Sequence, residues 1–385
     1  MLNDHSQEQA RHYMKMALAL AQRGLGQTWP NPAVGCILVG NDVVVGRGFT
    51  QPGGRPHAET VALNHAGAAA KGATAYVTLE PCSHHGETSP CVETLISAGV
   101  SKVVIAMEDP DPRVAGQGIA ALRRSNIDVD VGLLKEQATF LNAGFFSRIQ
   151  RGYPLVTLKY ATSLDGRIAL GNGKSRWITG EAGRAYGHRL RAEYDAILLG
   201  SATVVADDPE LTCRLAGLEE RSPVRIVLDS HLKISPNAKI LSNKAPTWIF
   251  ASNASNSEAG KLKKTGAEII KVDSLSNGHL NLKAILGVLG DRGLTRLLVE
   301  GGARLSASLL KAQLVDRLVW IRSQTILGGD AIPVCDPLAI QELNSALRPK
   351  RLGEPFILGN DHIEWFEFNR QSAIGYEPAL VRGNL

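Results

Sequence analysis

The residues with the clearest chemical potential are one histidine, one glutamate and two cysteines. His57 and Glu59 form a His-x-Glu pair, Cys82 follows Pro81 further along the chain, and Cys91 completes the set. One imidazole and two thiolates are the protein ligands of an open zinc site, which leaves the fourth tetrahedral position to water. Zinc lowers the pKa of that water toward ~7, so the pattern predicts hydrolytic attack at neutral pH.

Glu59 is the expected proton carrier of this site. It lies two positions after the histidine, at the start of an expected helix, so its carboxylate can approach the bound water without binding the metal. The order H-x-E followed by P-C and a second cysteine is typical of zinc-dependent base deaminases. A structural zinc site is the alternative. It would normally need a fourth protein ligand, which His84 or His85 could supply.

Alternating strands and helices are predicted to position these groups. In the first half we expect helices over 10–21, 57–66, 92–98 and 134–148, and strands over 33–39, 43–48, 75–79, 103–106 and 127–131. This alternation is typical of an α/β sheet with helices on its faces. Gly152, Tyr153 and Pro154 mark a boundary, which gives domains over residues 1–150 and 151–385.

The second half restarts the alternation. Strands are expected over 155–160, 196–199, 224–228, 247–251, 268–272, 296–299 and 318–322, and loops over 252–260 and 274–278. Gly301 and Gly302 lie between a strand and a helix, where bare backbone can approach a phosphate, although on its own such a pair is more often only a tight turn between strand and helix. The GxGxxA run at 116–121 follows a loop instead of a strand, so we do not interpret it as a nucleotide motif.

Composition narrows the class of protein. The chain has 385 residues, of which 44% are hydrophobic, and no apolar run approaches the ~18 residues of a membrane span. Five cysteines do not form a disulfide framework, and no secretory signal is recognisable, so a cytoplasmic location is expected. Charges in the first half are nearly balanced, which argues against a nucleic-acid partner.

Two segments of the first half carry a family resemblance. Residues 81–91, PCSHHGETSPC, and residues 30–35, PNPAVG, resemble the deaminase half of the bifunctional riboflavin-biosynthesis deaminase/reductases. The resemblance implies that Asn31 and His84 contact substrate. That family usually places Lys or Arg near the substrate phosphate where this chain has Glu87, so another cation or backbone amides would have to take that role.

The second half resembles the reductase half of the same family through residues 159–166, 175–179 and 206–212. The resemblance implies an NADPH cofactor and a phosphorylated pyrimidine substrate. The cofactor contacts it implies are Ala161, Trp177, Thr203, Asp207, Ser230, Gly302, Ala303 and Arg304. The substrate contacts it implies are Ser175, Arg191, Leu211, Arg214 and Glu300. The residues alone leave Lys159 open between a structural ion pair and an approach to the reacting carbon.

The fold implied is α/β, with an N-terminal cytidine-deaminase-like three-layer domain followed by a dihydrofolate-reductase-like domain. The expected cofactors are Zn²⁺ and NADPH. We expect the chain to bind a small-molecule substrate, to bind neither nucleic acid nor a membrane, and to form a homo-oligomer. Whether NADPH or NADH is used stays open on the residues, because Asp229 ends a strand while Ser230, His231 and Lys233 form a basic run. Two alternatives remain: a zinc-dependent nucleobase or tRNA deaminase with an accessory nucleotide-binding domain, and a non-catalytic zinc-stabilised binding protein.

Overall fold

The computed structural model describes residues 4–84, 89–111, 114–253 and 255–368. Glu87 lies outside the described residues. The chain divides into two compact units between Gly152 and Tyr153, and each is described by itself. Among the described helices, none combines the length and the apolar character that crossing a membrane requires.

The first unit consists of a central sheet and helices. Its strands are β1 (Gly35–Gly40), β2 (Val43–Phe49), β3 (Thr74–Val77), β4 (Lys102–Ile105) and β5 (Asp128–Val131). Its helices are α1 (Asp4–Gln22), α2 (Ala58–Ala66), α3 (Cys91–Ser97), α4 (Gln117–Arg124) and α5 (Lys135–Arg151). The strand order is β2-β1-β3-β4-β5, in which β1 is antiparallel to both neighbours and the last three strands are parallel.

Helices cover both faces of this sheet. A Cβ on Gly35 would lie 1.9 Å from the Ala17 carbonyl oxygen of α1, and a Cβ on Gly48 would lie 2.1 Å from the Ala58 carbonyl oxygen of α2. Gly48 pairs with Cys36, the neighbour of Gly35, and neighbouring residues of a strand face opposite sides. The two helices therefore lie on opposite faces, which confirms the expected three layers.

The second unit is built on a larger sheet. Its strands are β6 (Leu155–Thr162), β7 (Arg167–Ala169), β8 (Ala196–Gly200), β9 (Val224–Leu228), β10 (Thr247–Ala251), β11 (Glu268–Lys271), β12 (Arg296–Val299), β13 (Arg317–Arg322), β14 (Ile332–Pro333), β15 (Lys350–Arg351), β16 (Phe356–Leu358) and β17 (Asp361–Glu367). Its helices are α6 (Glu181–Glu193), α7 (Ser201–Asp207), α8 (Asn256–Lys263), α9 (Leu282–Asp291) and α10 (Ala303–Lys311).

Seven of these strands form a parallel array in the order β11-β10-β9-β8-β12-β6-β13, and β17 joins it antiparallel to β13. The carboxyl ends of parallel strands meet at one edge of a sheet, where ligands of open α/β sheets bind. The loops after β8, β9, β10 and β12 therefore share that edge. Most of the residues expected to contact the cofactor lie in the segments that directly follow three of these strands: Thr203 and Asp207 in α7 after β8, Ser230 after β9, and Gly302, Ala303 and Arg304 after β12.

The second unit differs from expectation in part of one expected loop and in a strand that was not expected. Residues 256–260 belong to α8 rather than to a loop, because the Ser255 hydroxyl accepts a hydrogen bond from the Glu258 amide and caps the helix. The sequence also gave no indication of β17. This strand is rich in charge, and Glu364 forms an ion pair with Arg322 of β13, a long-range contact that a local hydrophobic pattern does not reveal.

Candidate active sites

The first unit brings together the three expected metal ligands. His57 Nδ1 lies 3.3 Å from Cys91 Sγ and 3.5 Å from Cys82 Sγ, and within the described residues these three side chains form the group suited to a metal ion. Bonds of about 2.1 Å to nitrogen and 2.3 Å to sulfur around a tetrahedral ion put two ligands about 3.6 Å apart. The observed distances therefore fit one zinc ion.

Each ligand is positioned by the end of an element. His57 is the N-cap residue of α2, and Cys91 is the first residue of α3. Cys82 follows β3 by a short connection, and its Sγ accepts a hydrogen bond from the Cys91 backbone N–H at 3.3 Å. Because Gly48 lets α2 pack directly on the sheet, the position of His57 is tied to the backbone of β2.

Glu59 lies in the first turn of α2 and is buried, with its side chain close to that of Cys91. Burial and the nearby charge of Cys82 raise the pKa of Glu59 to about 7. Hydrogen bonds from Cys91 and His57 lower the pKa of Cys82 to about 4, against the effect of burial. The interaction with Cys82, together with burial, raises the pKa of the Cys91 thiol. The site thus holds an ionised sulfur ligand beside a buried carboxyl group.

Two buried polar side chains that local sequence patterns did not single out support this site. The Glu80 carboxylate accepts hydrogen bonds from the backbone N–H groups of Asp109, Gly116 and Ile119 at 3.0–3.1 Å, and so fixes the loop after β4 beside the cysteine ligand. The Asn142 amide of α5 bonds both the N–H and the C=O of Ala33 at 3.0 Å. The bonded residues are 29 or more positions apart in the sequence, so local sequence patterns did not reveal these contacts.

The expected substrate contacts of this unit lie around the metal ligands. The Asn31 side chain donates to the Gly54 carbonyl at 3.3 Å, on the loop that leads to His57. His84 is exposed and lies two residues after the ligand Cys82.

The second unit contains a buried charge cluster centred on Glu300, the residue that follows β12. Arg191 of α6 donates to both Glu300 carboxylate oxygens at 2.9 Å, and Lys159 Nζ donates to Oε2 at 3.1 Å. Burial alone would raise the pKa of Glu300, but the two cations outweigh it and hold that pKa well below its usual range. Lys159 therefore takes part in an ion pair, one of the two readings that the sequence left open.

Beside this cluster lies a loop that carries two more of the expected substrate contacts. Leu211 is buried with a positive φ of 56°, and Arg214 is exposed. The Thr212 carbonyl accepts a hydrogen bond from Arg191 at 3.1 Å, and the Arg214 backbone N–H lies 3.3 Å from His188 Nδ1. Burial, followed by the charges of the two arginines, lowers the pKa of His188 to about 4. The sequence analysis did not include His188.

The expected cofactor contacts fall into two groups. Gly302 caps α10, which begins Ala303-Arg304, and a Cβ on Gly302 would lie 3.5 Å from Thr203 Oγ1 of α7. Trp177 is 67% exposed, and the Arg184 guanidinium lies 4.5 Å from its ring centroid. Arg176 lies 5.7 Å from the same ring and donates to the Asp207 carbonyl at 3.5 Å.

Three expected contacts are not linked to the rest of the site by side-chain hydrogen bonds. Ala161 packs against the hydrophobic core of the second unit, and among the described residues the hydroxyl groups of Ser175 and Ser230 make no hydrogen bond to another expected site residue. The turn before α10 nevertheless fits a phosphate group. Its first-turn amides lack partners within the helix, and glycine at positions 301 and 302 leaves the backbone bare for a phosphate to approach.

Comparison with known proteins decides the family. Residues 154–354 match the RibD C-terminal domain family, and residues 7–107 match the cytidine and deoxycytidylate deaminase zinc-binding region. The riboflavin biosynthesis protein RibD of Escherichia coli K12 is 43% identical over 88% of this chain and 94% of its own length. The Aquifex aeolicus RibD is 40% identical over 90% and 97%. The chain belongs to the RibD family.

Solved RibD structures agree with this assignment over nearly the whole chain. Acinetobacter baumannii RibD superposes with a TM-score of 0.85 at 37% identity, covering 94% of this chain and all of that one. A Thermotoga maritima diaminohydroxyphosphoribosylaminopyrimidine deaminase/5-amino-6-(5-phosphoribosylamino)uracil reductase superposes with a TM-score of 0.83 at 32% identity, covering 95% and 100%. The RibD family accounts for both units, with a cytidine-deaminase-like fold first and the RibD C-terminal, dihydrofolate-reductase-like fold second.

Proposed function

We propose that this RibD-family chain catalyses two consecutive steps of riboflavin biosynthesis. The first unit, over about residues 1–150, hydrolytically deaminates 2,5-diamino-6-(5-phosphoribosylamino)pyrimidin-4(3H)-one. The second unit, residues 151–385, reduces the ribosyl group of the deaminated product to a ribityl group with NADPH. The observation that carries the proposal is the convergence of His57, Cys82 and Cys91 within 4.8 Å beside the buried Glu59.

In the deaminase step the residues hold a metal and move protons. His57, Cys82 and Cys91 supply three ligands, and zinc bound there would activate water as a nucleophile near neutral pH. Glu59 takes a proton from the attacking water and delivers one to the departing amine, so the ring C–N bond breaks and ammonia leaves. Asn31 and His84 orient the pyrimidine beside this carboxyl group.

In the reductase step the residues bind and orient two ligands. Thr203, Gly302 and the first turn of α10 hold the cofactor phosphates, and bound NADPH would supply the hydride. Arg214 offers an exposed guanidinium to the substrate phosphate. Arg191 has its guanidinium fork on Glu300, so it positions that carboxylate and has only its remaining N–H groups for the substrate.

The cysteines of the chain indicate the cellular compartment in which the reaction takes place. All five cysteines are free, including the two thiolate ligands, and a reducing compartment preserves such ligands. We therefore place the enzyme in the cytoplasm. Its partner is a phosphorylated pyrimidine, and the homo-oligomer stays a prediction.

Zinc content and ammonia release test the deaminase proposal together. Cys82→Ser should lose both bound zinc and ammonia release, because it removes one of three ligands. Cys335→Ser is the matched control, since Cys335 lies in the second unit and should leave both unchanged. Full zinc content in Cys82→Ser, or ammonia release unchanged after zinc removal, would contradict the proposal.

A further inference from the structure

The loop from Leu211 to Arg214 is held by side chains rather than by neighbouring backbone. Among the described residues, the backbone groups of this loop form no hydrogen bond with another backbone group. Leu211 also has a positive φ of 56°, which a residue with a Cβ rarely adopts. The Ser222 hydroxyl accepts a hydrogen bond from the Cys213 backbone N–H at 3.1 Å. The conformation of the loop therefore depends on the side chains that bind it.

His188 of α6 faces two polar groups of this loop with a single ring nitrogen. Its Nδ1 lies 3.2 Å from the Thr212 carbonyl oxygen and 3.3 Å from the Arg214 backbone nitrogen. The Arg214 N–H can only donate, and the Thr212 carbonyl already accepts a hydrogen bond from Arg191 at 3.1 Å. Both groups are satisfied when Nδ1 is an acceptor and the ring proton is on Nε2. With a proton on Nδ1, the Arg214 N–H would face another N–H and lose its partner.

The charges around His188 favour this neutral ring. Arg191 and Arg214 are the cations that face it, and Glu300 is the anion. The Glu300 carboxylate already pairs with Arg191 and Lys159. Burial, followed by the charges of the two arginines, lowers the pKa of His188 to about 4. The imidazole is therefore uncharged at neutral pH, so its Nδ1 can accept the Arg214 N–H.

The hydrogen bond from Arg214 to His188 lies at the point where this loop becomes exposed. Residues 211–213 are buried, whereas Arg214 is exposed. His188 and Arg191 lie three positions apart, so they project from the same face of α6, and Arg191 is fixed there by Glu300. The backbone of Arg214 is thus anchored to α6. This anchor sets the position from which the Arg214 guanidinium group can reach a phosphate.

We propose that His188 is a positioning residue of the reductase site. As a neutral imidazole with its proton on Nε2, it accepts the Arg214 backbone N–H and holds Arg214 where the guanidinium group binds the substrate phosphate. His188 acts through Arg214 and takes no part in hydride transfer. The inference rests on the proposed reductase function, and it adds a residue that sets substrate affinity without contacting the reacting carbon.

Steady-state kinetics with 5-amino-6-(5-phosphoribosylamino)uracil and NADPH test this role. His188→Leu removes the acceptor, so KM for the uracil substrate should rise about fivefold or more while kcat changes by less than about twofold. An unchanged KM for NADPH shows that the unit is folded. His188→Asn places an amide oxygen near the position of Nδ1, so its KM should stay within about twofold of wild type. His279→Leu, the same substitution at an exposed histidine of the second unit, is the matched control and should change neither constant.

A double variant shows whether His188 acts through Arg214. Arg214→Gln should itself raise KM for the uracil substrate, and adding His188→Leu should raise it by less than about twofold more, because residues that act as a unit are not additive. A wild-type KM in His188→Leu, a fall in kcat without a rise in KM, equal losses in His188→Asn and His188→Leu, or full additivity with Arg214→Gln would each overturn the inference. A wild-type chain that does not reduce this substrate would instead contradict the proposed reductase function.

Discussion

Arg191 and Glu300 form a two-point ion pair, with both N–O distances at 2.9 Å, that joins α6 to the end of β12. Side-chain exposures of 13% and 10% make it a largely buried pair, and Lys159 adds a second cation. The pair links two residues that the sequence assigned separately to the substrate. Arg191 also donates a hydrogen bond to the Thr212 carbonyl, so the same side chain contacts the loop that carries Arg214.

Removing the carboxylate from this cluster should destabilise the second unit. Glu300→Gln leaves two buried cations without a partner, and breaking a buried pair in this way costs about 3–5 kcal/mol. Because the folded-state pKa of Glu300 lies below its ordinary value of 4.5, its contribution is present above that pH and lost as pH falls. The variant should therefore differ most from wild type at neutral pH and progressively less in acid.

Tryptophan fluorescence during urea unfolding measures this effect, since Trp177, Trp248, Trp320 and Trp365 all belong to the second unit. Exposed Glu354→Gln is the control, and it should change the free energy of unfolding by less than about 0.5 kcal/mol. Equal stability of Glu300→Gln and wild type at pH 7 would contradict a stabilising role for the cluster.

Glu59→Gln should separate proton transfer from metal binding. The amide preserves the shape of the buried side chain but cannot carry the proton, so ammonia release should fall by about 10²–10⁴-fold. Zinc content should stay at the wild-type level, since Glu59 is not among the three ligands. Reduction of added 5-amino-6-(5-phosphoribosylamino)uracil should also persist. Ammonia release within about tenfold of wild type would remove Glu59 from the mechanism.

Replacing the buried Asp109 with a neutral side chain should stabilise the first unit in a pH-dependent way. Burial, with the neighbouring charges of Asp111 and Glu80, raises its pKa from 3.8 to about 6. The folded protein thus holds this proton more tightly than the unfolded chain, and the stability it provides is lost as pH rises through about 6. Asp109→Asn should raise the free energy of unfolding of the first unit by about 1–2 kcal/mol at pH 8, with no gain at pH 4.

Scanning calorimetry at the two pH values measures this change, with the first unit's transition identified as the one that zinc chelation shifts. A gain of the same size at both pH values would show that the effect is not electrostatic.

Asn142 should matter for the placement of Asn31 although it is remote in sequence. Asn142→Asp keeps the acceptor for the Ala33 N–H but sets a carboxylate oxygen against the Ala33 carbonyl, which should cost about 1–3 kcal/mol. KM of the deaminase step should rise more than kcat falls. Asn64→Asp, at an exposed position of α2, is the matched control and should leave KM unchanged. A wild-type KM in Asn142→Asp would contradict this positioning role.

The strands and helices that position the site residues could be predicted from the sequence, because the residue patterns that indicate them are local. The strands over 33–39 and 43–48 flank a turn signal, and the His57 and Cys91 helices begin where apolar periodicity begins. The contacts that the sequence could not show join residues that are far apart along the chain. Glu80 and Asn142 bond backbone far along the chain, β17 is held by cross-strand ion pairs, and the Arg191 fork meets Glu300 109 residues away.

The resemblance to the deaminase/reductase family supplied the residue roles, and the structure adds how they are arranged. Arg191 illustrates the difference: the resemblance implied that it contacts substrate, while in the structure its guanidinium group is bound to Glu300. Whether an arginine side chain is held in such an ion pair depends on its burial and on a charged neighbour, and neither is visible in a single sequence.

The two-step reaction can be tested by following ammonia release and NADPH consumption separately, with zinc-loaded full chain and the diaminopyrimidine substrate. We expect ammonia to appear first and NADPH loss to follow and depend on it. Glu59→Gln should lose both, and adding the deaminated intermediate should restore NADPH consumption alone. NADPH consumption in Glu59→Gln without that intermediate, or no ammonia from zinc-loaded wild type, would contradict the proposed two-step reaction.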